Sequence, residues 1–366
     1  MALRVGIVGL PNVGKSTLFN AVSSAGAEAA NYPFATIEPN VGVVALRDAR
    51  LDRLAQLAAS AKVVPTSVEF LDIAGLVKGA SEGEGLGNQF LSHIREVHAI
   101  LHVVRCFDDD DVVHVDGSVD PARDIEVIET ELLLKDLDTI GKRVDRARRS
   151  ARTGDRAAQG ELALLERLQA HLESGAPART FPTSGADEGA LVRETFLLTE
   201  KPVLYAANVA ESQLPGGEGD HVEAVRKIAA DEGAEAVVVS AEAEAQISEL
   251  DPEERAEFLA ELGLHRSGLD QLVTAAYRLL GLITFFTAGP KEARAWTVRS
   301  GTKAPRAARE IHSDIERGFI RAEVISYADY DALGSEQAVK DAGKLRVEGK
   351  EYVLVDGDVV HFRFNV

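Results

Sequence analysis

The chain has 366 residues, 45% of them hydrophobic, with 59 acidic against 40 basic side chains and a formal net charge of −19. That length is enough for two or three domains with their own cores, and the composition is that of a globular chain rather than a disordered one. The charge argues against nucleic-acid binding spread over the whole surface, though a local basic patch is compatible with it.

Cys106 is the one cysteine, so no internal disulfide can form and a reducing compartment fits. It lies in the apolar run 99–107, where a packed structural thiol is expected rather than a redox centre. No stretch has the length of a transmembrane helix, and the apolar N-terminus is too short for a signal peptide. A cytoplasmic protein with no membrane partner is expected.

Residues 3–8 read as a buried strand: short, apolar, β-branched and bounded by glycine. Gly9-Leu10-Pro11-Asn12-Val13-Gly14-Lys15-Ser16 follows, and a helix-forming segment begins at Lys15. This is G-x-x-x-x-G-K-[ST] between a strand and a helix, the context in which it has a mechanism. The glycines let backbone N–H groups turn in around a β-phosphate, at the positive end of the helix. Lys15 would neutralise β/γ charge, and the Ser16 hydroxyl would ligate Mg²⁺. Thr36 lies in a Pro-bounded loop, Tyr32 to Pro39, where a switch threonine would reach Mg²⁺ only when the γ-phosphate is present.

Residues 68–71 form a second apolar strand, ending in Asp72-Ile73-Ala74-Gly75. After a P-loop, D-x-x-G is informative: Asp72 can hold a Mg²⁺-bound water and the Gly75 N–H can touch the γ-phosphate. Leu76 stands where Ras-type enzymes carry a water-positioning glutamine, so intrinsic hydrolysis should be slow. Residues 77–87, rich in Gly, Ser and Glu, suit a second switch. Residues 100–104 are a third strand. Phe107 comes next, either core or a stacking platform for a base, and then Asp108 to Asp111, most simply a solvated turn, with metal binding as the alternative.

From Asp124 the apolar positions Ile125, Ile128, Leu132, Leu133, Leu137, Ile140 and Val144 recur at helical spacing, and Leu162, Leu165, Leu168 and Leu172 resume the period after a polar break. This predicts an antiparallel helical hairpin within about 121–199, inserted between the third and fourth strands. Its tip carries Lys142, Arg143, Arg146, Arg148, Arg149 and Arg152, with Asp145 opposing. Two readings stand side by side: a solvated, salt-bridged helix face, or a contact for the phosphate backbone of RNA.

The fourth strand, 203–207, runs into Asn208-Val209-Ala210-Glu211. A guanine reader has Asn-Lys-x-Asp there, with the Asp accepting hydrogen bonds from guanine N1–H and its amine. Val209 removes the lysine stem and Glu211 is a methylene longer. Guanine selection is weakened, and adenine selection is not thereby proved; Asn208 can bind a purine edge or tie loops together. A fifth strand, 236–239, precedes Ser240-Ala241, which has the form of the last base-contacting loop of this class. Strands separated by helices imply a parallel, doubly wound sheet with its chemistry at the C-terminal strand ends. From about residue 283 the pattern changes to short runs at 321–326 and 352–355, a short helix at 305–317 and an alternating end at 359–364, a small separate α+β domain.

In this order, GLPNVGKST, NYPFATIEPN, DIAGLVKGAS, RCFDDDDVVHV and NVAE closely resemble the YchF subfamily of Obg-like ATPases, over essentially the whole chain. The resemblance implies an α/β fold: a P-loop, doubly wound, mainly parallel sheet with the inserted hairpin (1–282), plus a ubiquitin-like β-grasp TGS domain (283–366). It implies ATP preferred over GTP, with Asn208 and Val209 on adenine and Phe107 flanking it, Glu211 and Ser240 in the base-reading loops, and Asn12, Val13, Gly14, Lys15, Ser16 and Thr17 around the phosphates. Ser16 and Thr36 would hold Mg²⁺ directly and Asp72 through water. It also implies the large ribosomal subunit as partner, through the basic tip and the TGS domain. The Pro-Asn pair of the P-loop suggests that Asn12 helps hold K⁺ near the phosphates. Two competitors remain: a GTPase in which Glu211 reaches guanine, and a nucleotide-gated RNA or ribosome adaptor in which hydrolysis is incidental.

Overall fold

The computed structural model describes residues 4–29, 40–73, 86–109, 114, 117–152 and 154–365. Its N-terminal part runs β1 (Arg4–Val8), α1 (Lys15–Ala29), β2 (Val41–Ala45), α2 (Ala49–Leu57), β3 (Val63–Val64), β4 (Ser67–Asp72), α3 (Leu86–Glu96) and β5 (Ala99–Arg105). After the hairpin helices α4 (Pro121–Ala151) and α5 (Arg156–Glu173), and a short α6 (Ala186–Arg193), it resumes with β6 (Val203–Asn208), α7 (Asp220–Asp231), β7 (Glu235–Val239), α8 (Ala241–Glu249), α9 (Pro252–Glu261) and α10 (Gly268–Leu279).

The first sheet has the order β2-β4-β1-β5-β6-β7. Its pairs are parallel except β2 with β4. Every residue of β5 and β6 is buried, because helices cover both faces; hence their unbroken apolar sequences. The chain winds one way from β1 to β4 and the other way from β1 to β5, so a crevice opens at the C-terminal ends beside β1. The edge strand β2 was not expected from sequence. Its Gly42 is required by packing: a Cβ there would lie 2.5 Å from Val22 Cγ1 of α1.

The hairpin forms where the leucine period predicts it. Asp120 caps α4 by accepting from Arg123 N at 3.1 Å, and Asp155 caps α5 by accepting from Ala157 N at 3.1 Å. Ile140, Val144, Leu164, Leu165, Leu168 and Leu172 close a core of their own. Two polar groups, Asp136 buried and Arg179 nearly so, hold its base to the sheet. Asp136 accepts from the N–H groups of Leu198 and Thr199 and from the Thr199 hydroxyl at 2.7–2.8 Å. Arg179 bridges Glu129 of α4 at 2.9 Å and Glu232, just beyond α7, at 2.7 Å.

The C-terminal part runs β8 (Leu282–Ala288), β9 (Ala293–Arg299), α11 (Ala304–Ile311), α12 (Ser313–Arg317), β10 (Phe319–Ser326), α13 (Tyr327–Leu333), α14 (Glu336–Asp341), β11 (Arg346–Glu348) and β12 (Asp358–Phe364). The sheet order is β11-β10-β12-β8-β9-β3, with β12 parallel to β8 at its centre. First and last strands side by side, each flanked by an antiparallel partner, and a helix on one face make a β-grasp. The expected helix at 305–317 is two helices. His312 is extended between them, and its Nδ1 accepts from Asp314 N at 3.1 Å. The run 352–355 is no strand; Val353 makes an isolated bridge to Lys303.

One segment crosses between the two parts. Strand β3 pairs with β9, and Leu51, Leu54 and Ala55 of α2 pack on Phe286, Ala293, Ile325 and Val359.

Candidate functional site: a phosphate loop under a base-sized cleft

A cleft of about 730 Å³ opens where the topology puts it, lined by the 10–17 loop, Phe107 to Asp109, Asn208 to Ala210, and Ala241 with Glu242. The loop holds a strained conformation. Asn12 has φ +64° and Gly14 φ +90°. A side chain is barred at Gly14 twice over, since its Cβ would also sit 2.2 Å from Asn208 Nδ2. Lys15, Ser16 and Thr17 open α1 and line the cleft, so the first-turn N–H groups and the helix dipole converge on one point. Val13 is buried and turned away. Lys15 Nζ forms an ion pair with Asp72 Oδ1 at the end of β4. The expected phosphate cation and the expected metal-side carboxylate thus meet, although 57 residues separate them in sequence.

Asn208 is buried and doubly engaged. Its Nδ2 donates to the Val13 carbonyl at 2.8 Å, and its Oδ1 accepts from Ala241 N at 2.9 Å. The side chain therefore laces the phosphate loop to the loop after β7; of the two roles open to it, the tie is the one seen. Glu211 departs from expectation. It opens a short 3₁₀ turn, accepts from Gln246 Nε2 at 3.1 Å, and does not line the cleft. Ser240 also stays out of the cleft: it is buried, and its hydroxyl caps α8 by accepting from Ala243 N at 3.4 Å. Thr36 and Gly75, with Leu76, lie outside the described residues.

Phe107 sits at the cleft wall, held by a residue the sequence reading passed over. Arg105, 1% exposed at the end of β5, lies 4.6 Å from the Phe107 ring centroid and donates to the carbonyls of Phe107 and Asp109 at 3.1 and 3.2 Å. An arginine closing an otherwise apolar strand was the available signal. Glu242 was also missed as a cleft-lining group, and Asp108 and Asp109 of the acidic turn line the cleft with it. Burial pushes the Cys106 thiol up to about 12, so it stays protonated and inert.

Across the hairpin tip, part of the basic face is salt-bridged or hydrogen-bonded within the protein. Lys142 pairs with Asp138 at 2.7 Å, Arg148 with Glu166 at 3.0 Å, and Arg143 donates to the Glu194 carbonyl at 2.6 Å. Arg146, Arg149 and Arg152 form no ion pair among the described residues.

Residues 4–140 match the family model described as 50S ribosome-binding GTPase. Residues 282–365 match the YchF GTPase C-terminal model, whose description is "protein of unknown function". The chain is 56% identical over 367 residues to the "Ribosome-binding ATPase YchF" of Bacillus subtilis and 54% identical over 366 residues to that of Escherichia coli O157:H7, covering 100% of both chains in each case. Among solved structures, the Schizosaccharomyces pombe YchF GTPase superposes with TM-score 0.90 at 39% identity, over 99% of this chain and 97% of the other. A GTP binding protein from Pyrococcus horikoshii OT3, at 20% identity and TM-score 0.60 over 99% and 100% of the chains, shares the fold.

Proposed function

The chain belongs to the YchF family of Obg-like P-loop ATPases, and from that premise we propose that it binds and hydrolyses ATP with Mg²⁺ and associates with the ribosome in the cytoplasm. No helix among the described residues is long and apolar enough to cross a membrane.

Names within the family disagree on the base, ATPase for the bacterial relatives and GTPase for the yeast structure. The observation that carries the ATP reading is Glu211. A guanine site needs a carboxylate at the fourth motif position facing the base; here that carboxylate is engaged with Gln246, away from the cleft. The base then lies between Phe107 and the 208–210 segment, where stacking and backbone contacts, not a charged acceptor, hold it. Glu242 keeps the guanine reading alive, because it puts another carboxylate on the cleft wall.

In the reaction, the 12–17 loop holds the phosphates through its N–H groups, and Lys15 exchanges its Asp72 partner for β/γ-phosphate oxygens. Release of that pair would leave the Asp72 carboxylate free to orient the metal's hydration shell. The Ser16 hydroxyl and Asp72 carboxylate are hard oxygen donors that fit Mg²⁺; Ser16 and Thr36 would hold it directly and Asp72 through water. Mg²⁺ supplies neutralisation of phosphate charge. By their motif positions the Gly75 N–H would meet the γ-phosphate, and Leu76 in place of glutamine would leave the attacking water poorly oriented and intrinsic turnover slow. Asn12, in its left-handed conformation at the loop apex, helps hold K⁺. Ribosome contact runs through the basic hairpin and the TGS domain.

Competition of ATP and GTP against one fluorescent nucleotide, with Mg²⁺, tests the base. ATP should displace the probe at lower concentration in the wild type, and Val209→Lys with Glu211→Asp should gain GTP affinity. Tighter GTP binding by the wild type would make this a guanine site, with Glu242 as the acceptor to remove next.

A further inference from the structure

We propose that the groove between α3 and α4, together with Phe196 beside it, is a site for single-stranded RNA, with phosphates in the groove and an unpaired base stacked on Phe196. The proposal deepens the ribosome reading and rests on it. The groove encloses about 510 Å³, and Arg95 of α3 faces Lys135, Lys142, Arg143 and Arg146 of α4 across it. Among the described residues of its lining Asp138 is the one acidic group, and it is paired with Lys142. Arg95 acts electrostatically on Asp136 and Lys135 on Asp138, but neither they nor Arg146 close a direct ion pair among the described residues. Five cations converging on one groove in a chain of net charge −19 make a local site for a polyanion.

Phe196 supplies the second, independent observation. It is 76% exposed and has φ +55°. A bulky residue rarely adopts the left-handed region, and such strain persists only where the surroundings enforce it. Here they do. Arg143, which lines the groove, donates to the Glu194 carbonyl at 2.6 Å, and Asp136 accepts from Leu198 N at 2.7 Å. Phe196 N donates to the Arg193 carbonyl at 3.1 Å. Residues 194–198 are thereby strapped along α4, and the ring between the two tethers is held out to solvent. An acidic peptide would neutralise the cations. An exposed aromatic ring displayed against its backbone preference, on a segment tied to the groove through Arg143, matches the stacking platform and charged track that bind single strands. A duplex keeps its bases stacked and offers no partner for the ring.

This site lies along the middle of α4, and Arg148, Arg149 and Arg152 do not line it. The two surfaces can therefore be tested apart. Anisotropy of a labelled 12-nucleotide single strand, and of the same strand in a duplex, would be measured with the full chain. The variants are Phe196→Ala, Phe196→Trp, Arg95→Glu with Lys135→Glu, and Arg148→Glu with Arg149→Glu. The wild type should prefer the single strand. Phe196→Ala should weaken it by about 5- to 100-fold, Phe196→Trp should retain it, and the groove pair should weaken it and flatten its salt dependence. Unchanged ATP turnover and melting temperature in each variant exclude misfolding. Affinity unchanged in Phe196→Ala, or equal affinity for the duplex, overturns the proposal. If ribosome co-sedimentation falls only with Arg148→Glu and Arg149→Glu, the ribosome reading stands and this site does not. If the groove pair abolishes co-sedimentation while the wild type ignores naked RNA, the groove takes an acidic protein and the proposal is likewise overturned. If no variant alters co-sedimentation and the wild type does not sediment, it is the ribosome reading that fails.

Discussion

The Asn208 side chain commits its nitrogen to the Val13 carbonyl and its oxygen to Ala241 N, so the conformation of the phosphate loop depends on a residue whose position in the motif suggests base contact. The amide is needed in one orientation, and Gly14 must lack a Cβ for it to fit. Asn208→Ala leaves a buried acceptor and a buried donor unpaired, at about 2–4 kcal/mol in total, and should weaken nucleotide binding along with stability. Asn208→Asp is the sharper variant. It keeps an acceptor for Ala241 N but turns a second oxygen on the Val13 carbonyl, so urea unfolding should show it no more stable than the alanine variant. Wild-type stability in Asn208→Asp would mean that the Val13 bond is not the brace. At this scale, the placement of Gly14, Lys15 and Ser16 at the cleft and of Asp72 beside Lys15 was legible because fixed spacing after a strand determines where they point; Phe107, open between core and cleft wall in the sequence, lies at the wall. Glu211 was not, since its partner Gln246 comes from another helix, 35 residues on, and no local pattern announces it. Arg105 was hidden for a related reason: its work is done on carbonyls, which every sequence has.

Among the elements, those with a clear period were legible. The hairpin helices follow from leucines three and four apart, and β5 and β6 from continuous apolar runs. What the period could not show is how the hairpin is fixed to the sheet, because Glu129 and Asp136 look like surface residues in a helix of mixed charge. Burial raises the pKa of both, yet Arg179 and the 198–199 amides give them partners. The two-carboxylate bridge is the more exposed to substitution. Arg179→Leu would strand Glu129 and Glu232 in a largely buried site that Tyr205 also enters, its hydroxyl donating to Glu232 at 2.9 Å. Removing one partner of a buried pair costs about 3–5 kcal/mol, and adding Glu129→Gln should restore part of it. Thermal unfolding at neutral pH checks both, and a loss below about 1 kcal/mol in the single variant would show the bridge to be solvated. The edge strand β2 escaped notice because its middle residue, Gly42, lowers strand propensity; only the approach of α1 explains it.

Taken whole, the molecule is not divided where the sequence pattern changes. A boundary near residue 282 separates the two sheets in sequence, but α2 and β3, which precede β4, complete the second one. Leu54 is fully buried against the C-terminal core, Arg50 lies 5.3 Å from the Phe286 ring centroid and bonds Asp356 at 2.6 Å, and β3 extends the sheet edge. Without this segment, Phe286, Ala293, Ile325 and Val359 would lose their cover. The consequence is mechanical as well as energetic: residues 46–66 connect β2 and β4 on one side of the phosphate site, so a displacement of either strand pulls on the second core. Leu54→Ala tests the coupling. The cavity should cost about 2–5 kcal/mol, and it should appear far from the substitution in sequence. Amide hydrogen exchange should speed up in β8 and β12 while β5, at the centre of the first sheet, keeps its protection. Faster exchange confined to α2 would instead mean that the helix rests on a C-terminal unit able to hold itself together.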